Sequence, residues 1–141
     1  MPSMAALQKN VRGWFTRESA PHAPPRPILI VDPDATQRQS AARAATGLGY
    51  VTTEATTSAE AVQVVEDQDP VCVLLAFDLG GGEDGMAALA TLRDVAPELP
   101  IIMLARTYRE PRTSEALRRG ALAYLARPWG PDDLREILPR R

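Results

Sequence analysis

The sequence is poor in the residues that build many familiar sites. With one cysteine and one histidine among 141 residues, it lacks the ligands for a tetrahedral zinc centre. The cysteine, Cys72, lies inside an apolar run and reads as a small core residue rather than a reactive thiol. Aromatic residues make up only 5% of the chain, and the basic positions are not interleaved with them. There is also no DNA-reading helix, so no nucleic-acid partner is expected. No apolar stretch approaches the roughly 18 to 20 residues of a membrane span. The first 25 residues lack a secretory h-region and cleavage site, and the expectation is a cytoplasmic protein.

Charge is unevenly placed. Residues 1–27 carry four basic groups against one acid, residues 28–105 three against twelve, and residues 106–141 nine against five. Two surfaces of opposite sign are expected. The segment 3–17 sets Met4, Leu7, Val11 and Trp14, with Phe15 beside it, at helical spacing behind a possible cap at Ser3. Four prolines in the nine residues 19–27 then spell an extended linker. The domain organisation read here is therefore an amphipathic helix over 1–18, a linker over 19–27 and a folded unit over 28–141.

That unit alternates in kind. Ile28–Val31 is a short apolar strand, followed by a helix capped by Asp34 and ended near Gly47 and Gly49. Residues 50–53 read as a second strand. Thr57 and Glu60 form a capping box before the next helix. Val71 to Leu75 is apolar without alternation, the mark of a strand covered on both faces of a parallel sheet. Gly80–Gly82 reads as an unstructured loop, since its spacing matches neither a P-loop nor a dinucleotide fingerprint. A helix with Met86, Leu89, Leu92 and Ala96 follows, then a strand over 101–104, a short helix over 111–119, a strand over 121–126, and a last helix opened by Gly130 and Pro131. Five such repeats imply a doubly wound α/β fold with a parallel five-stranded sheet and a crevice at the strands' carboxyl ends.

In their order, ILIVDPD, GLGYVTTEATTSAEAV, PVCVLLA, EDGMAAL, ELPIIMLA and GALAYLARPW resemble the receiver domain of bacterial two-component response regulators over residues 28–138. The resemblance implies a flavodoxin-like (βα)5 fold. It also implies a site that transfers a phosphoryl group to an aspartate, aided by a magnesium ion, a Ser or Thr and a lysine. Carried over by position, the acidic pair falls on Asp32 and Pro33, the acceptor on Ala76, the hydroxyl on Ala105, the lysine on Arg127 and the switch aromatic on Tyr124. A methyl group cannot take a phosphoryl group, and a proline ring cannot ligate metal. The expectation is a pseudo-receiver: a phosphorylation-independent interaction module with no catalytic step, no metal and no cofactor. An ion pair of Asp32 with Arg127 is expected in place of the lost ion. The alternative is a stand-alone regulator phosphorylated at Asp78. A further reading makes Asp32, Asp34, Asp78, Glu83 and Asp84 a cation site, against which acids at helix starts are more often caps.

No output domain is expected after Arg141, and the expectation is action through contact with other chains. Two surfaces are candidates. The N-terminal helix presents Leu7, Val11, Trp14 and Phe15, which suit a partner's groove ahead of an anionic membrane or the chain's own domain. The resemblance also points to residues 106–138, rich in arginine at Arg106, Arg109, Arg112, Arg118, Arg119 and Arg135, as a face for a protein partner or a homodimer.

Overall fold

The structure, a computed structural model, describes residues 25–138. The anticipated N-terminal helix and linker, apart from the last residues of the latter, lie outside the described residues. Five strands alternate with five helices: β1 Ile28–Val31, α1 Ala35–Gly47, β2 Thr52–Ala55, α2 Ser58–Gln68, β3 Cys72–Ala76, α3 Gly85–Val95, β4 Ile101–Ala105, α4 Thr113–Arg118, β5 Ala123–Ala126 and α5 Pro131–Ile137. The sheet is wholly parallel in the order β2-β1-β3-β4-β5, the flavodoxin-like arrangement.

Strand periodicity sorts the core into two layers, because successive side chains leave a sheet on opposite faces. Leu29, Val31, Val73, Leu75, Ile101 and Met103 meet Leu89 and Leu92 of α3 and Ala61 of α2. Ile28, Ile30, Cys72, Leu74, Ile102 and Leu104 meet Ala41 and Ala45 of α1 and Leu134 of α5. This explains why the central strands are apolar without alternation: each face is covered by helices.

Side-chain caps place the helix starts. The Asp34 carboxylate accepts from the Gln37 amide at 3.1 Å, and the Thr57 hydroxyl from the Glu60 amide at 3.2 Å. The box at α2 closes one residue early, since Glu60 Oε1 accepts from the Thr56 amide at 2.7 Å. Three boundaries differ from the sequence reading. Strand β2 begins at Thr52 rather than Tyr50, because the Tyr50 amide donates to Ala45 O at 3.1 Å and belongs to the end of α1. Strand β5 begins at Ala123, since the Ala121 amide is still bonded to Ala116 at the end of α4. Helix α4 shrinks to six residues behind an acid-base turn at 110–112.

Gly80–Gly82 is an ordered 3-10 turn rather than an unstructured loop. An antiparallel bridge between Asp78 and Asp84 closes its base, and the Gly80 amide donates to Thr56 O at 2.9 Å. Gly81 and Gly82 adopt φ of 72° and 79°, a region that only glycine enters freely. Gly85 is required for another reason. Its amide donates to Phe77 O at 2.7 Å, and a Cβ there would lie 2.2 Å from Ala76 O.

Candidate functional site

The carboxyl ends of β1, β3, β4 and β5 enclose a narrow crevice of about 70 Å³. Its floor is set by register. Val31 pairs with Leu75, so the next residues, Asp32 and Ala76, leave their strands side by side. Ala76 in turn pairs with Leu104, and Ala105 with Ala126. Ala76 and Ala105 are buried, with Asp32 beside them as the one buried charged residue among those described. Arg127, held by its amide on Ala105 O at 3.2 Å, enters from β5. The sequence thus brings together Asp32, Ala76, Ala105 and Arg127 as expected, with methyl groups where a nucleophile and a hydroxyl were sought.

Asp32 does not pair with Arg127. No ion pair joins the two within 4 Å; the Asp32 carboxylate instead accepts from the Asp34 amide at 2.9 Å. Burial raises its pKa above the ordinary value, Asp34 adds repulsion, and the amide bond with the more distant Arg106 and Arg127 only partly offsets this. The anticipated salt bridge is replaced by a backbone turn: Asp32 is fixed by local geometry two residues ahead.

Nor do the five acids gather into a cation site. Asp34 and Asp84 cap α1 and α3, Glu83 accepts from the Ser58 amide at 2.8 Å, and Asp78 is taken by an arginine. Among the described residues no group of three or more His, Cys, Asp and Glu side chains could hold one ion. The donor set does not fit a magnesium ion: beside Asp32 stands Pro33, and the crevice also contains two arginines.

Sequence reasoning missed the role of Arg112. It was expected on a docking surface, yet its guanidinium grips Glu110 through two bonds of 2.7 and 2.9 Å. It also reaches the two Asp78 oxygens at 3.2 and 3.3 Å, Asp84 at 3.7 Å and Phe77 O at 3.4 Å. The Phe77 ring lies 5.0 Å from its centre. Glu110 is held below the usual carboxylate range mainly by Arg112, and the arginine pKa is raised further, first by Glu110 and then by Asp78. One side chain therefore fastens the start of α4 to the segment after β3. The spacing of Glu110 and Arg112 was visible in the sequence; the long-range partner Asp78 was not.

Other arginines of this region are satisfied locally: Arg118 and Arg119 both pair with Glu115, at 2.5 and 2.7 Å, and Arg109 lies 5.6 Å from the Tyr108 ring. Arg135 pairs with Asp132. Among these exposed arginines the face also presents apolar side chains: Tyr108, Leu117, Leu122 and Tyr124. The expected switch residue, Tyr124, pairs with Met103 in register and is 41% exposed. Leu7, Val11, Trp14 and Phe15 lie outside the described residues. Cys72 is buried on the α1 and α5 side of the sheet, its thiol pushed up to about 12 by burial, which suits a packing role.

A wholly parallel, doubly wound sheet with its crevice at the carboxyl ends of β1, β3, β4 and β5 defines a flavodoxin-like domain. The family model for the response regulator receiver domain matches residues 28–139, and the chain belongs to that family. It is 34% identical over 108 residues to the phosphate regulon transcriptional regulatory protein PhoB of Pseudomonas aeruginosa, covering 76% of this chain and 47% of that protein. To the DNA-binding transcriptional regulator NtrC of Escherichia coli it is 28% identical, covering 80% of this chain and 24% of the other. The chain thus spans less than half the length of these curated relatives. The crystal structure of the receiver domain of NtrX from Brucella abortus superposes with a TM-score of 0.73 at 30% identity, covering 78% of this chain and 92% of that one. A putative response regulator from Chloroflexus aurantiacus gives 0.73 at 29%, covering 80% and 93%. Among the described residues no helix is long and apolar enough to cross a membrane.

Proposed function

We propose that this receiver domain works without phosphorylation, as a protein-interaction module in two-component-type signalling or an assembly derived from it. The observation that carries the reading is the buried methyl of Ala76 at the end of β3, beside Asp32 and backed by Ala105. A carboxylate nucleophile is needed to accept a phosphoryl group, and that position has none. The domain has no catalytic step of its own. Its contacts are made by the face of α4, β5 and α5, where Tyr108, Leu117, Leu122 and Tyr124 supply apolar area among self-paired arginines. The occupant of that face is a protein partner or a second copy of the domain.

The rival reading places the phosphoryl group on Asp78, which lines the mouth of the crevice. Arg112 argues against it: the guanidinium contacts both Asp78 oxygens, at 3.2 and 3.3 Å, and lowers the nucleophilicity of the carboxylate. Incubation with acetyl phosphate and magnesium, read by intact mass, decides the matter. No adduct is expected; an adduct abolished by Asp78→Asn would overturn the proposal.

A further inference from the structure

At the opposite end of the sheet from the crevice, the last turns of α2 and α3 and the loops entering β3 and β4 enclose an open groove of about 310 Å³. Its walls are mostly apolar, formed by Val65, Pro70, Ala96, Pro97, Leu99 and Pro100. Exposed acids crowd the same helix ends and loops: Glu66, Asp67 and Asp69 around the end of α2, Asp94 and Glu98 around that of α3.

The described chain begins at this groove. Arg26 lines it, donating from Nε to Asp69 O at 2.8 Å and from Nη2 to Pro70 O at 3.3 Å, while its charge meets the Asp69 carboxylate at 3.3 Å. Pro27 O accepts from the Val71 amide at 2.8 Å, fixing the next residue on β3's approach. Whatever precedes Arg26 therefore leaves from the groove's own rim.

What precedes it has the matching chemistry. Residues 3–17 bring Leu7, Val11, Trp14 and Phe15 together with Lys9, Arg12 and Arg17, an apolar stripe with positive flanks set against an apolar trough with negative flanks. The intervening proline-rich stretch rises about 3.1 Å per residue when extended. That reach suffices for the stripe to turn back to the groove.

We propose that the groove between the ends of α2 and α3 is the intramolecular seat of the chain's own residues 3–17, with Trp14 and Phe15 as anchors. The inference does not depend on the phosphorylation reading, since it concerns the other end of the sheet. Seated there, the stripe is withdrawn from membranes and from partner grooves, leaving the α4, β5 and α5 face as the domain's open apolar surface.

The test compares the full chain with its Trp14→Ser, Phe15→Ser double variant by NMR, a change outside the folded core. Contacts of the Trp14 ring with the Val65 and Leu99 methyl groups are expected in the full chain. Amide shifts at Val65, Ala96, Glu98 and Leu99 should move in the variant while those lining the crevice stay in place. Added salt should weaken the contacts, because the charged rim is exposed. A mixed sample of labelled and unlabelled chains should show no contacts between molecules. Groove amides identical in the two proteins would overturn the proposal. So would Trp14 contacts that arise only between copies, or only on adding anionic vesicles.

Discussion

Replacing Arg112 by alanine removes a single side chain from four partner residues, and the structure allows the cost to be apportioned. The largest share comes from Glu110, whose side chain is only 11% exposed and would keep only the backbone amide of residue 112 as a donor. Hydrogen bonds to charged groups contribute about 1.5–3 kcal/mol. The Asp78 carboxylate is 63% exposed, so its pair with Arg112 adds no more than about 1 kcal/mol. Arg112→Ala should then cost about 3 kcal/mol, a drop of roughly 10 °C in melting temperature for a domain of this size. Arg112→Lys should lose about half as much, because an ammonium cannot reproduce the two-pronged grip. The pH dependence follows from the depressed pKa of Glu110. Its contribution is fully present above the ordinary value of 4.5 and fades as pH falls through the lower folded-state value. The gap between wild type and Arg112→Ala should therefore be constant near neutrality and narrow below pH 4.5. Scanning calorimetry over that range checks both features. A melting temperature within about 2 °C of wild type, corresponding to surface-like effects near 0.5 kcal/mol, would refute the reasoning.

Three further perturbations test the rest of the site. Asp32→Asn keeps an acceptor for the Asp34 amide and removes a charge that burial disfavours. Because the folded-state pKa is raised, the wild type should lose stability relative to this variant as pH climbs from 3.8, and denaturant titrations at pH 3.5 and pH 7 should show the variant ahead only at the higher value. Arg127→Ala, which breaks no ion pair with Asp32, should change stability by about 0.5 kcal/mol or less in a urea titration; a loss of several kcal/mol would restore the anticipated salt bridge. Gly85→Ala drives a methyl against Ala76 O and Phe77 O, and overpacking against backbone should cost about 3 kcal/mol or more by the same titration.

How much of this was legible beforehand depended on whether the signal was local. The strands Ile28–Val31 and Cys72–Ala76 announced themselves because burial on both faces leaves no polar alternation. The caps at Asp34 and Thr57 were legible because a cap is a contact over three residues. The edges of β2 and β5 were not, since the chain-reversing bonds of Tyr50 and Ala121 belong to the preceding helices and look apolar in sequence. The composition of the crevice floor followed from position alone, whereas the geometry around it did not. Asp32 and Arg127 carry opposite charges and enter the same crevice, yet the carboxylate is claimed by a backbone amide two residues away. Arg112 looked like one more surface arginine because its partner Asp78 lies 34 residues earlier. The order in Gly80–Gly82 likewise depends on Thr56, which no local pattern could supply.

These misses share a physical cause that bears on the site itself. A crevice that gathers carboxylates is tolerable when a cation holds them together; without one, each acid must be neutralised, buried at a cost or moved away. This chain does all three. Pro33 and Ala76 remove two potential carboxylates from the floor. Asp32 stays, with its pKa raised and its charge balanced only at a distance by Arg106 and Arg127. Asp78 and Asp84 are drawn outward to Arg112. The same arginine binds Glu110 and thereby ties the β4 to α4 connection to the segment after β3. A link between these two segments is thus built into the chain through a single guanidinium. The carboxylates of Glu110, Asp78 and Asp84 share that one side chain, so the placement of α4 relative to the end of β3 depends on Arg112.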